Sequence, residues 1–186
     1  MVNAQVQQWI QQNYPSPTID PEWLEPCCEH ITSEDHLDPD NPAHFDRFVQ
    51  QIEFHLLNNA LQDSMVPETG IPIIPRTGEM TITGPILVEV RAIMEVGHSA
   101  YDLWRVRAAR QERGVVRLSG REDEQQEEGQ EDEDEGPIPK YPRGMLDLVL
   151  TDGSRSLKAM EYRFIPEIVL GETRLGHKVR IFSICS

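Results

Sequence analysis

Apolar residues recur every three or four positions in the first third of the chain, a spacing that is typical of helices with one buried side. The most regular stretch predicts a helix from Pro42 to Gln62. Its buried stripe would consist of Phe45, Phe48, Val49, Ile52, Leu56 and Ala60. Shorter helices are predicted from Asn3 to Gln12 and from Asp20, which can cap a helix that begins at Pro21. Residues 1–64 are therefore expected to form a three-helix bundle.

The pattern changes to alternation after a connector rich in proline and glycine, residues 65–85. From Ile86 to Val96, every even position carries an apolar side chain or alanine, whereas Glu89, Arg91 and Glu95 point to the other side. Such alternation predicts a half-buried strand. Leu87 and Ile93 lie among the charged residues, which indicates partial cover of that face as well.

A hairpin is predicted in the last third of the chain. Met145 to Thr151 reads as one strand, Asp152 and Gly153 as the tight turn, and Leu157 to Tyr162 as the partner strand. Pro166 ends the ladder because it has no N–H to donate. A fourth strand is predicted from His177 to Ile184.

These residues carry a family resemblance. Leu-Thr-Asp-Gly at 150–153, Met-Glu-Tyr at 160–162, Ile-Pro at 165–166 and Gly-x-Lys at 176–178 resemble the OB-fold domain of the RecQ-mediated genome instability protein 1 family. Pro-Glu-Trp-Leu-Glu at 21–25 is similar to the family's helical region, and residues 86–101 to its first barrel strand. The resemblance implies an α+β chain in which the bundle precedes an OB-fold domain at residues 86–186.

An OB-fold is a five-stranded barrel, and its last strand joins the third strand to the fourth. This sequence ends just after the fourth predicted strand. We therefore expect an incomplete barrel, truncated before the last strand and open at two edges.

The resemblance also implies a function. The family's members are non-catalytic nuclear partners of type IA topoisomerase III and RecQ helicases, and they support double Holliday junction dissolution, DNA repair and genome stability. Their insertion between the first two barrel strands reaches into the topoisomerase and influences its DNA gate. Here that place holds a long connection with an acidic stretch, expected to be disordered at about residues 105–143. The alternative is a solvated linker without a partner.

Several residues are candidates for contact with the topoisomerase. The apolar anchors of the long connection are Trp104, Val115, Val116, Leu118, Ile138 and Tyr141. By resemblance, Lys178 at the start of the fourth strand faces the partner. The signature residues Thr151, Asp152, Gly153, Glu161, Tyr162 and Pro166 are expected to be structural. Among them, Glu161 would pair locally and Tyr162 would cover the end of the barrel.

The formal net charge of -15 disfavours tight DNA binding, which rests on lysine and arginine. Ten acidic residues and one basic residue lie between Arg121 and Glu135. Weak or indirect DNA binding is therefore expected. The alternative is a single-stranded nucleic-acid-binding OB module that uses Arg155, Lys158, Tyr162, Arg163 and Phe164. A role for the acidic run in binding basic proteins is a further alternative.

The sequence gives little indication of catalysis or metal binding. Cys27, Cys28, His30, His36 and His44 lack the spacings with which loops surround a zinc ion. No nucleophile, phosphate-binding or metalloprotease motif is present, so we expect no catalytic residues, no metal and no cofactor. The three cysteines imply no disulfide framework, and no stretch of sequence is apolar enough for a membrane span. A soluble, intracellular protein is expected.

Overall fold

The computed structural model of the chain describes residues 2–73, 81–123 and 138–185. The chain divides into two compact units. The first unit contains Met1–Ile93, Leu148–Ala159 and Arg174–Ser186. The second, which we call the insertion unit, contains Met94–Asp147 and Met160–Thr173. The domain boundaries near residues 64 and 85 stay a prediction.

The first unit begins with helices α1 (Ala4–Asn13), α2 (Pro21–Glu34) and α3 (Pro42–Asn58), followed by the single turn α4 (Leu61–Ser64). The side-chain oxygens of Asn3, Asp20 and Asn41 each accept the N–H of the residue two positions further on. These caps stabilise helix starts because the first N–H groups of a helix have no partner within it. The predicted cap at Asp20 is therefore present. Helix α3 ends four residues before the predicted Gln62, since Asn59 adopts an extended conformation.

The helices share one apolar core with the first strand. Phe48, Ile52 and Leu56 of the predicted α3 stripe are fully buried, whereas Ala60 lies outside the helix and is exposed. Leu87, which is 2% exposed, belongs to the same cluster. Its backbone N–H donates to the carbonyl of Ser16 at 2.8 Å. The predicted cover of Leu87 is thus supplied by the helical region.

Four strands form a sheet with the order β3–β2–β1–β4. They are β1 (Thr81–Glu95), β2 (Leu146–Thr151), β3 (Ser156–Met160) and β4 (Lys178–Cys185). In the described part of the chain, β3 and β4 each have one strand neighbour, so the sheet is open at both edges. The prediction of an α+β chain with helices before an incomplete barrel is confirmed.

Strand β1 begins five residues earlier than predicted. Its pairing with β4 is antiparallel and shifts register between Thr83 and Ile86. Gly84 has a φ of 104° at this point and is followed by Pro85. Glycine adopts that conformation readily, and bulges accommodate proline within strands. The Gly-Pro pair, which reads as part of a connector in the sequence, is therefore a bulge.

The β2–β3 hairpin turns one residue later than predicted. The N–H of Asp152 donates to the carbonyl of Arg155 at 3.1 Å, so the two central residues are Gly153 and Ser154. Gly153 has a φ of 100°, as the first central position of a type II′ turn requires. A Cβ at this glycine would lie 2.6 Å from the backbone carbon of Leu61. Conformation and close packing therefore both select glycine.

Asp152 attaches the hairpin to the segment that follows the helices. Its buried carboxylate accepts the N–H groups of Ser154, Arg155 and Ile71 at 2.8, 2.6 and 2.6 Å. Burial alone would raise the pKa of Asp152, but these hydrogen bonds hold it below its ordinary value. Arg155 adds a hydrogen bond to the carbonyl of Ile71 and an ion pair with Glu68 at 3.2 Å.

Candidate partner-binding arm

The connection from β1 to β2, residues 96–145, lies within the insertion unit, and we call it the arm. Glu95, the last residue of β1, holds both of its ends. Its carboxylate accepts the N–H groups of Gly97 at 2.6 Å, Gly144 at 2.9 Å and Met145 at 3.2 Å. Gly97 and Gly144 pack closely, because a Cβ on Gly97 would lie 3.0 Å from the Cα of Gly144. One side chain thus joins the start of the arm to its end.

The orientation of Glu95 corrects the sequence-based prediction. Alternation placed Glu95 toward solvent and Met94 and Val96 toward the interior. In the structure Glu95 is 8% exposed, whereas Met94 and Val96 are 42% and 51% exposed. The three N–H donors compensate the buried charge and lower the pKa of Glu95, although burial alone would raise it. Hydrogen bonding, mainly to the returning chain, therefore overrides the alternation at the end of the strand.

A second buried carboxylate, Glu161, holds the end of the arm from the other side. It accepts the N–H groups of Leu146 at 3.1 Å and Ile165 at 2.6 Å, and it pairs with the guanidinium of Arg143. Arg143 also donates to the carbonyls of Ile165 and Ile168. Burial alone would raise the pKa of Glu161, but these donors hold it below its ordinary value. Residues 143–146 are consequently held between two carboxylates.

Helix α5 (Ala100–Asp123) forms the outgoing part of the arm. It begins at a reciprocal cap, in which the Ser99 hydroxyl accepts the N–H of Asp102 at 3.2 Å and donates to its carboxylate at 2.6 Å. The sequence predicts disorder from about residue 105, whereas the helix continues to Asp123. Alanine and arginine, both good helix formers, occupy six of the nine positions 105–113, which were expected to be disordered. Residues 124–137, with most of the acidic run, lie outside the described residues.

Two aromatic side chains stand exposed on the first turns of α5. Tyr101 is 65% and Trp104 is 61% exposed. Their ring centroids are 6.1 Å apart and the ring planes differ by 26°, so the rings are stacked. Residues three apart share one face of a helix, and this face therefore presents an aromatic surface. Trp104 was a predicted anchor, whereas Tyr101 was missed, although its spacing from Trp104 is visible in the sequence.

The returning part of the arm packs on α5 through Tyr141. Arg110 donates to the carbonyl of Pro139 at 3.2 Å and lies over the Tyr141 ring, 5.3 Å from its centroid. On the other side, a Cβ at Gly171 would lie 2.5 Å from this ring. Tyr141 is thus held within the insertion unit, while its neighbour Ile138 is 45% exposed. The side chains of the other predicted anchors, Val115, Val116 and Leu118, lie outside the described residues.

Lys178 does not present its ammonium group to solvent. In the first unit its side chain is 6% exposed, pairs with Glu89 at 3.0 Å and donates to the carbonyl of Gly176 at 3.0 Å. Glu89 also accepts the N–H of Leu61, the first residue of α4, at 3.2 Å. This arrangement argues against the predicted contact between Lys178 and a partner.

Tyr162 corrects another prediction. It is 92% exposed, so it does not cover the end of the sheet. Strand β3 ends at Met160, two residues before the predicted Tyr162 and six before Pro166. Directly after it, the carboxylate of Glu161 accepts the N–H of Leu146. Thr151 supports the turn, with its hydroxyl donating to the carbonyl of Arg155 at 2.7 Å.

Exposed apolar side chains are concentrated in the insertion unit, and most of them were not predicted. Besides Trp104 and Ile138, they include Met94, Val96, Tyr101, Met145, Met160, Tyr162 and Phe164. Contiguous apolar surface is typical of a protein-binding region, and the stacked rings of Tyr101 and Trp104 provide such a surface. Among the described residues, no group of three or more potential metal ligands is close enough to hold an ion. None of the described helices is both long and apolar enough to cross a membrane.

The open antiparallel sheet, with a long insertion after its first strand, defines an incomplete OB-fold. The family described as RMI1, N-terminal OB-fold domain, matches residues 59–185, which is more than half of the chain. The chain therefore belongs to the RMI1 family, and the predicted kinship is confirmed. No curated protein matches the chain.

Proposed function

We propose that this chain is a non-catalytic subunit of a nuclear complex between a RecQ-family helicase and a type IA topoisomerase III. Membership of the RMI1 family supports this role. In the proposal, the arm docks on the topoisomerase and tunes its DNA gate. The complex would then dissolve double Holliday junctions and protect genome stability.

The observation that carries the proposal is the combination of a fixed base with exposed aromatic side chains on the first turns of α5. Glu95 and Glu161 hold residues 143–146 by four contacts, three with backbone N–H groups and one with the side chain of Arg143. A fixed base limits the conformations that the arm loses on binding, and preorganisation of this kind strengthens association. Tyr101 and Trp104 then offer aromatic surface, the residue type that most often dominates protein interfaces.

The mechanism that we propose is thermodynamic. A ligand shifts a gate only if its affinities for the open and closed states differ. An arm that binds the open gate more tightly would prolong opening and favour passage of a second DNA strand. A difference of about 1.4 kcal/mol between the two affinities would change the ratio of open to closed gates tenfold.

The experiment is a decatenation assay with topoisomerase III, with and without the chain. We compare the intact chain, a variant in which a short glycine-serine linker replaces residues 105–141, and the double variant Tyr101→Ala/Trp104→Ala. We expect the intact chain to stimulate decatenation and both variants to lose most of the stimulation. A linker variant that stimulates as well as the intact chain would overturn the proposal.

The single-stranded nucleic-acid alternative has weaker support. Arg155, one of its predicted cations, pairs with Glu68 and with the carbonyl of Ile71. Tyr162 and Phe164 are exposed, but each already lies beneath an arginine, Arg163 at 5.9 Å and Arg143 at 4.4 Å from the ring centroids. We therefore keep weak or indirect DNA binding as part of the main proposal.

A further inference from the structure

Positive charge is concentrated in helix α5, although the chain as a whole is acidic. Residues 100–120, which precede the acidic run, contain five of the chain's 17 lysines and arginines against two acidic residues. Arg105 and Arg107 are exposed, and within the described ranges the structure shows no ion pair or hydrogen bond of their side chains. The carboxylate of Asp102, three positions before Arg105, accepts the hydroxyl of Ser99 at 2.6 Å instead. Both guanidinium groups can therefore contact an anionic ligand.

The two arginines border the exposed aromatic pair of α5. Arg105 follows Tyr101 by four positions and Arg107 follows Trp104 by three. Each arginine is therefore the neighbour of a ring on the helix surface. Because the two rings stack on each other, each one keeps its outer face for another flat group. The start of α5 thus combines flat apolar surface with two exposed cations.

We propose that this face of α5 binds single-stranded DNA, with bases stacked on Tyr101 and Trp104 and phosphates paired with Arg105 and Arg107. Proteins that bind single strands combine aromatic rings with positive charge in this way. A guanidinium suits phosphate because it can donate two hydrogen bonds to it. Duplex DNA is the poorer ligand, since its base faces are covered. The inference rests on the weak DNA contact of the proposed function, but it places that contact on α5 instead of the sheet.

The expected affinity is low. The acidic run at residues 121–135 repels nucleic acid, and only two phosphates are neutralised. For single strands, the logarithm of the binding constant changes with that of the salt concentration by about -0.7 per phosphate contact, so two contacts give roughly -1.4. A strand bound here also keeps the topoisomerase from the same rings. The two ligands would therefore use this face in turn.

The test measures binding of a fluorescein-labelled oligothymidylate of about twelve nucleotides to the chain alone by fluorescence anisotropy. An oligomer of the same length without bases is the ligand control. Trp104→Ala removes one ring, and Trp104→Phe restores a ring. Arg105→Gln/Arg107→Gln is matched by Arg47→Gln/Arg174→Gln, which changes the charge equally at exposed positions outside α5. Circular dichroism checks that each variant is folded.

We expect a dissociation constant between about 1 and 100 μM at low salt. Trp104→Ala should weaken binding about tenfold, whereas Trp104→Phe should stay within about threefold of the wild type. Arg105→Gln/Arg107→Gln should weaken binding about fivefold and remove most of its salt dependence, while the control pair changes it less than about twofold.

Undiminished binding of the oligomer without bases, or equal losses in the two arginine pairs, would overturn the proposal in favour of general charge attraction. Absence of binding at millimolar chain would overturn it as well. If Trp104→Ala then still weakened binding to topoisomerase III, the rings would be a protein contact only. Because the assay contains no topoisomerase, the decatenation experiment decides the proposed function separately.

Discussion

Glu161→Gln tests whether the buried carboxylates hold the base of the arm. In the folded chain one carboxylate oxygen accepts the N–H of Ile165 and pairs with Arg143, and the other accepts the N–H of Leu146. The glutamine oxygen can still accept from Ile165 and Arg143, but the NH₂ group then faces the N–H of Leu146, so that two donors meet. It also removes the negative charge beside Arg143, whose side chain is only 13% exposed.

The magnitude follows from these contacts. Leaving a buried N–H without an acceptor costs about 1–3 kcal/mol. Removing one partner of a buried ion pair costs about 3–5 kcal/mol, but Arg143 keeps two carbonyl acceptors, which reduces the loss. We therefore expect the free energy of unfolding to fall by about 3 kcal/mol. At a urea dependence of about 2 kcal/mol per molar, the midpoint should shift by roughly 1.5 M.

The assay is urea unfolding followed by circular dichroism, with Glu167→Gln as the control because Glu167 is exposed in the same segment. The pH adds a second criterion. Because the folded pKa of Glu161 lies below its ordinary value of 4.5, its stabilisation is present above that value. It is lost as the pH falls through the folded pKa. The difference between wild type and Glu161→Gln should accordingly shrink in strong acid. An effect equal to that of Glu167→Gln at neutral pH, or one that persists unchanged in acid, would refute the reasoning.

Three further variants test other parts of the structure. Gly171→Ala places a Cβ 2.5 Å from the Tyr141 ring at a φ of 79°. The free energy of unfolding should therefore fall by about 1–3 kcal/mol, and adding Tyr141→Leu should restore part of it. An unchanged urea midpoint would contradict this packing. Asp152→Asn should lower the free energy of unfolding by about 2 kcal/mol and expose residues 68–73 to limited proteolysis. Equal protease resistance of the variant and the wild type would count against the attachment of this segment by Asp152. Lys178→Met should cost about 2–4 kcal/mol by leaving Glu89 buried without its cation, and a smaller loss than that of the exposed control Lys158→Met would show that the pair is unimportant.

Regular periodicity predicted the fold well. The α3 stripe is visible in the sequence because Phe48, Ile52 and Leu56 repeat at helical spacing and all face one core. The hairpin is equally visible, since glycine at position 153 supplies the positive φ that few other residues tolerate. These features depend on local geometry, which a short stretch of sequence encodes.

The candidate site was harder to predict because its buried charged side chains pair with residues that are far away in the sequence. Glu95 reads as a solvent-facing residue, and two of its three donors, Gly144 and Met145, are supplied only by the return of the chain. Lys178 reads as exposed until Glu89, 89 positions away, is seen to pair with it. Tyr162 reads as a covering aromatic, yet it stands in solvent. Such contacts have no local signal.

The affinity of the chain for topoisomerase III tests the central proposal most directly. The measurement compares wild type with Trp104→Ala and with Phe54→Ala, a control in which the replaced aromatic on α3 is 60% exposed, against 61% for Trp104. If the arm docks on the topoisomerase, Trp104→Ala should weaken binding by about 2 kcal/mol, or roughly thirtyfold, while Phe54→Ala leaves it unchanged. Equal affinity of all three proteins, or no binding by the wild type, would contradict the proposal.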